Sequence, residues 1–125
     1  MPLLDWNTGL VKHLGIRFLE TEKDRVVAEL EIRPELLTTN GALHGGTLMA
    51  LADTVGAAGT AAAGLRTATL ESKTNFFAAA TGGTIRAESS ALHKGRRTHV
   101  WQTRVTDASG RLLSLTIQTQ MILDK

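Results

Sequence analysis

The stretch Asn40–Gly64, NGALHGGTLMALADTVGAAGTAAAG, decides the reading of this chain. Its 25 residues carry one charged side chain, Asp53, among Ala, Gly, Leu, Thr, Val and Met. The run predicts a helix over Gly45–Ala63, about 28 Å long at 1.5 Å per residue, with Gly64 suited to the C-terminal cap. Its glycines cost helix propensity, so tertiary packing must hold it, and its small residues let a sheet approach closely. A membrane span is a poor reading, because Ala and Gly dominate residues 45–64 and a carboxylate sits near the middle. Burying that carboxylate costs several kcal/mol without a partner, so Asp53 needs a reason to be there.

Outward from this helix the pattern changes to strands. RVVAELEIR, Arg25–Arg33, alternates Val26, Ala28, Leu30 and Ile32 against Val27, Glu29, Glu31 and Arg33, and Pro34 stops it. LGIRFLETE just before it reads as its hairpin partner. Residues 3–14 read as a short helix, with Leu3, Leu10, Val11 and Leu14 on one side. Downstream, four strands are predicted over Thr67–Ala78, Thr84–Lys94, Arg97–Asp107 and Arg111–Leu123, punctuated by TGG, KGR and the hairpin signal DASG. The order of elements implies an α+β fold, a curved antiparallel sheet wrapped around a long central helix, in one domain over residues 1–125.

Composition narrows the classes. A chain of 125 residues, 42% hydrophobic and 21% charged, suits one soluble globular domain. The net charge of +2 is too small to argue for nucleic acid, and KGRR, the one basic cluster, has no aromatic interleaving. The absence of cysteine removes disulfides, thiolate nucleophiles and Cys-ligated metals. His13, His93 and His99 lack metal-ligand spacing, so no metal is expected. The start, MPLLDWNTGLVKHLG, has no apolar signal core, and a cytoplasmic location without a membrane partner is expected.

NGALHGGTLMALADTVG resembles the G-x-x-HGG-x-x-x-x-L-A-D/E pattern of hotdog-fold acyl-CoA thioesterases of the phenylacetate-pathway (PaaI-like) type. The likeness continues through TLESKTNFFAAATGGTIRAESSALHKGRRTHVWQTRVTDASGRLLSL, with its NF strand, Gly-rich turn, GRR and D-x-x-G hairpin. It implies a hotdog fold, hydrolysis of an acyl-CoA (aryl or hydroxyaryl among the candidates) to acid and CoA, and sites built across a homodimer that pairs into a homotetramer. No cofactor is implied, since coenzyme A is part of the substrate.

Thioester hydrolysis needs a carboxylate or base near the carbonyl and donors for the developing oxyanion. Asp53 can supply the first, as general base on water or as nucleophile through a mixed anhydride. The backbone N–H groups of Gly45 and Gly46, at the positive end of the helix, can supply the second. Gly45 and Asp53 are eight residues apart, about 12 Å along a helix, so one carbonyl can touch both only if they come from two antiparallel helices in two subunits. Met49, Gly56 and Ala57 surround Asp53 at helical spacing and leave room for an acyl group.

The family's His falls at His44, which either contacts the substrate or serves as a turn residue. The usual Asn or Gln six residues before it is Thr38 here, a departure for which Asn40 is the nearest substitute. Thr69 aligns with a Ser or Thr that positions water in some relatives, or is plain strand packing. Lys94, Arg96 and Arg97 can hold the phosphates of CoA or simply charge a hairpin edge. Trp101, Phe76 and Phe77 read as core or interface. The alternative to an enzyme is a non-catalytic hotdog protein that binds acyl-CoA; a hotdog dehydratase fits the HGG…LAD pattern less well.

Overall fold

The computed structural model describes residues 6–123. A short helix α1 (Gly9–Leu14) leads into strands β1 (Arg17–Glu22) and β2 (Arg25–Glu31). A 3-10 turn at Pro34–Leu36 and a loop precede α2 (Gly45–Ala62), which is followed by β3 (Thr67–Phe76), β4 (Thr84–Lys94), β5 (Thr98–Thr106) and β6 (Leu112–Ile122). The six strands form one antiparallel sheet in the order β1-β2-β4-β5-β6-β3, and α2 lies across one face against all of them. This is the α+β arrangement that the sequence predicts.

Local chemistry sets the boundaries. Helix α1 begins at Gly9 rather than residue 3 and closes on Gly15 at φ 78°; Leu3 lies outside the described residues. Helix α2 stops one residue short of the expected end, and Gly64, at φ 84°, turns its N–H onto the Ala61 carbonyl at 2.9 Å. Strand β3 ends two residues early because the N–H groups of Phe77 and Ala78 both converge on the Leu113 carbonyl, which breaks the ladder. The DASG turn is held by Asp107, whose Oδ1 accepts the N–H groups of Ser109 at 2.9 Å and Arg111 at 3.0 Å.

Between sheet and helix lies the core: Val26, Leu30, Ile85, Val105 and Leu113 against Leu48, Leu51 and Val55. Each such side chain contributes about 1.5–3 kcal/mol when fully buried. Val27, on the alternate set of β2, is buried as well. It pairs with Glu20 and Glu88 on the flanking strands, and Arg25 bonds both carboxylates across it. Trp101 is fully buried and occupies a slot that Gly59 leaves open; a Cβ there would lie 2.2 Å from the indole. Phe76, at the end of the edge strand β3, and Phe77, just past it, are by contrast half exposed and do not join the core.

Strand β6 reverses the ordinary rule. Its buried alternate set is Ser114, Thr116, Gln118 and Gln120, whereas Ile117 and Met121 face outward, 42% and 41% exposed. The polar set lies under α2, and that is where the candidate site is found.

Candidate functional site

The start of α2 is fixed from both sides. The His44 N–H donates to the Leu36 carbonyl at 2.9 Å, and Thr47 Oγ1 donates to the same carbonyl at 3.2 Å. His44 is the N-cap, and its Nδ1 accepts the Gly46 N–H at 2.8 Å. Nδ1 is therefore the unprotonated nitrogen of a neutral ring, which leaves Nε2 as an N–H donor. Gly45 differs from Gly46: its N–H has no acceptor among the described residues. The helix start thus presents one free backbone donor, with the His44 imidazole beside it. A Cβ at Gly45 would stand 3.3 Å from the Phe76 ring, which places this end of α2 at the far end of β3.

Asp53 lies two turns along α2, partly buried. Its Oδ1 accepts the Thr69 hydroxyl at 2.6 Å and the Gln118 amide Nε2 at 3.0 Å. Thr69 Oγ1 in turn accepts from Gln120 Nε2 at 2.7 Å, so its own proton is directed to Asp53. Thr67 Oγ1 lies 2.9 Å from Gln120 Oε1 and fixes the orientation of that amide. Among the described residues no cation pairs with Asp53, and Oδ2 accepts no hydrogen bond. One oxygen is tied down and the other is free.

Beside Asp53 opens a cavity of about 370 Å³, lined by Trp6, Val11, Phe18, Ala57 and Ala61 among others. Its size suits a small acyl group. Trp6 and Phe18 stand edge to face, ring centroids 4.8 Å apart, and form an aromatic wall.

The structure brings some expected site residues together and not others. Asp53 and Ala57 line the cavity, Thr69 reaches it only through its bond to Asp53, and His44, Gly45 and Gly46 meet at the helix start. Met49 is 41% exposed on the helix surface between the two, outside the cavity lining. Gly56 faces the sheet rather than the cavity, with Gln118 filling the space its missing side chain leaves. Thr38 Oγ1 accepts the Asn40 N–H at 3.2 Å within a turn, and Asn40 is exposed at the loop tip. Lys94 already has its charge matched, by Asp24 at 2.9 Å, while Arg96 and Arg97 are exposed with no ion-pair partner among the described residues. Gln118 and Gln120 escaped the sequence reading. Their signal was polar residues on every second position of an otherwise apolar strand.

Comparison with known proteins agrees with this geometry. Residues 40–114, which include both the helix start and Asp53, match the Thioesterase superfamily. A 1,4-dihydroxy-2-naphthoyl-CoA hydrolase of Listeria monocytogenes is 32% identical over 110 residues, covering 86% of this chain and 89% of the relative. The proofreading thioesterase EntH of Cronobacter turicensis is 32% identical over 105 residues, 82% of this chain and 77% of its own. Among solved structures, AziG of S. sahachiroi superposes with a TM-score of 0.91 at 30% identity, over 94% of this chain and 98% of that one. A six-stranded antiparallel sheet against one long helix is the frame on which these matches fall. The chain belongs to the thioesterase superfamily and is a thioester hydrolase of the hotdog fold.

Proposed function

We propose that the protein hydrolyses an acyl-CoA thioester, with an aryl or hydroxyaryl acyl group, at a site shared by two copies of the chain. The observation that carries the reading is the half-tethered Asp53 at the wall of an aromatic-lined cavity, with one oxygen free to act. The relative from Listeria is named for a bicyclic aryl-CoA, which agrees with that wall.

Sharing follows from distance. Within one chain the Gly45 donor and Asp53 are about 12 Å apart along α2. The two groups stay apart on the sheet as well, where Gly45 adjoins Phe76 and Asp53 bonds Thr69, seven residues away along β3. Strand β3 is an edge strand. Antiparallel pairing of two β3 strands about a two-fold axis between Ser72 and Lys73 sets one copy's Phe76 beside the other copy's Thr69. The Gly45 N–H of one subunit then meets Asp53 of its partner, twice per dimer. The exposed outer face around Ile117 and Met121 offers the second contact that would pair dimers into tetramers.

In this arrangement the thioester oxygen accepts the Gly45 N–H and the His44 Nε2–H. Asp53 Oδ2 takes a proton from water as that water attacks the carbonyl carbon. The tetrahedral oxyanion, held by the two donors, collapses by breaking the C–S bond, and the thiolate of CoA leaves and takes up a proton. Arg96 and Arg97 are the free cations for its phosphates.

The test is thiol release from a panel of aryl, short and long acyl-CoAs, with Asp53→Asn as the control. Turnover on aryl substrates that falls by orders of magnitude in a folded variant supports the reading. Full turnover in Asp53→Asn rejects it.

A further inference from the structure

Gln118 sits in the middle of β6 with 1% of its surface exposed, where a polar side chain must find partners to be buried. Its Nε2 reaches both oxygens that Asp53 turns toward the sheet, the carboxylate Oδ1 at 3.0 Å and the backbone carbonyl at 3.3 Å. Its Oε1 is buried and accepts no hydrogen bond among the described residues. Reversing the amide offers no remedy, because the oxygen would then face two acceptors. The orphaned acceptor is the consequence of aiming an NH₂ group at Asp53.

A second element makes room for it. A Cβ on Gly56 would lie 2.1 Å from Gln118 Oε1 and 2.6 Å from its Cδ. Gly56 thus weakens the middle of α2, and its slot is filled by the one amide that touches Asp53.

We infer that Gln118 is a positioning residue for Asp53: together with Thr69 it pins Oδ1, so that Oδ2 is presented to the cavity and the reacting water, and Gly56 exists to admit it. Thr69 alone leaves the carboxylate free to rotate about one hydrogen bond; the amide supplies the second donor from another strand. The inference rests on the reading of Asp53 as the acting carboxylate.

Gln118→Ala, Gly56→Ala and the double variant test it, with kcat, KM and thermal midpoint measured for each beside Asp53→Asn. Gln118→Ala should lower kcat by about tenfold to a hundredfold with KM little changed, the cost of a misplaced reacting group. Gly56→Ala should also lower kcat and should lower the midpoint, because its methyl group displaces Gln118. In the double variant that methyl group enters the space the amide has left. The midpoint should then recover, while kcat stays as low as in Gln118→Ala. Recovery of kcat together with the midpoint would reduce Gln118 to a packing residue and overturn the inference. Wild-type kcat in Gln118→Ala, with Asp53→Asn inactive, would overturn it and leave the role of Asp53 standing; an active Asp53→Asn would remove both.

Discussion

The free N–H of Gly45 can be deleted almost alone. Proline at the first position of a helix lacks only a hydrogen that makes no intrahelical bond, and its φ suits that position. The residue before a proline must be extended, and His44 already is, at φ −67° and ψ 136°. The added ring meets Phe76, whose nearest atoms would be 3.3 Å from the new Cβ, a contact that a shift of a few tenths of an ångström relieves. Gly45→Pro should therefore fold. Loss of one oxyanion donor costs about a hundredfold to a thousandfold in kcat, or roughly 3–4 kcal/mol of transition-state stabilisation. Gly45→Ala is the matched control: it adds the same Cβ and keeps the N–H, so it should turn over within a few-fold of wild type. Thiol release at saturating substrate reads both. The pair then tests sharing. Gly45→Pro refolded with an equal amount of Asp53→Asn gives half heterodimers, each with one doubly damaged site and one intact site, so about one quarter of wild-type activity should return. Equal turnover by the Pro and Ala variants would refute the oxyanion role. No recovery on mixing would refute the shared site.

Two further outcomes follow from the fold. Gly59→Ala gains about 1 kcal/mol of helix propensity, but its Cβ falls 2.2 Å from a Trp101 ring that has no free space and is bonded through Nε1 to Thr60 at 3.1 Å. Overpacking and the strained bond should leave a net loss of about 2 kcal/mol, read as a fall of about 8 °C in the thermal midpoint; an unchanged midpoint would show that the indole is loosely held. The Asp107 carboxyl is held below its ordinary value, first by the Ser109 hydroxyl at 2.7 Å and then by the Arg111 and Ser109 N–H groups. A depressed carboxylate contributes stability above the ordinary carboxylate range and loses it as pH falls through its lowered value. Asp107→Ala should therefore be less stable than wild type at pH ~7, and the gap in urea midpoint should shrink by pH ~3; a gap independent of pH would contradict the assignment.

The long helix was legible because its signals are local: small residues that demand packing, and a glycine at φ 84° just past its end. So were the strands on either side, where period-two patterns and turn residues agree. The β6 interior was not. Read by hydrophobicity, Ile117 and Met121 belong inside and Gln118 and Gln120 outside, and the structure has the reverse. The pattern fails there because the buried face of β6 meets a carboxylate on α2, and polar groups are what satisfy it. For the same reason the roles of the glycines were blurred. At helical spacing Gly45, Gly46, Gly56 and Gly59 look alike. Only contacts separate a free donor, a capped donor and two slots for Gln118 and Trp101.

The choice of neutral partners for Asp53 has its own logic. A lysine or arginine at position 118 would satisfy this partly buried carboxylate more strongly than an amide. It would also cancel the negative charge that must draw a proton from water during attack. Hydroxyl and amide donors fix geometry without adding charge, and by converging on Oδ1 they leave Oδ2 uncompensated. The same division runs through the helix start, where His44 caps Gly46 and leaves Gly45 bare. In both halves the fold satisfies one of two neighbouring polar groups and withholds a partner from the other. A stabilising substitution that pairs either unsatisfied group should therefore raise the thermal midpoint at the expense of turnover.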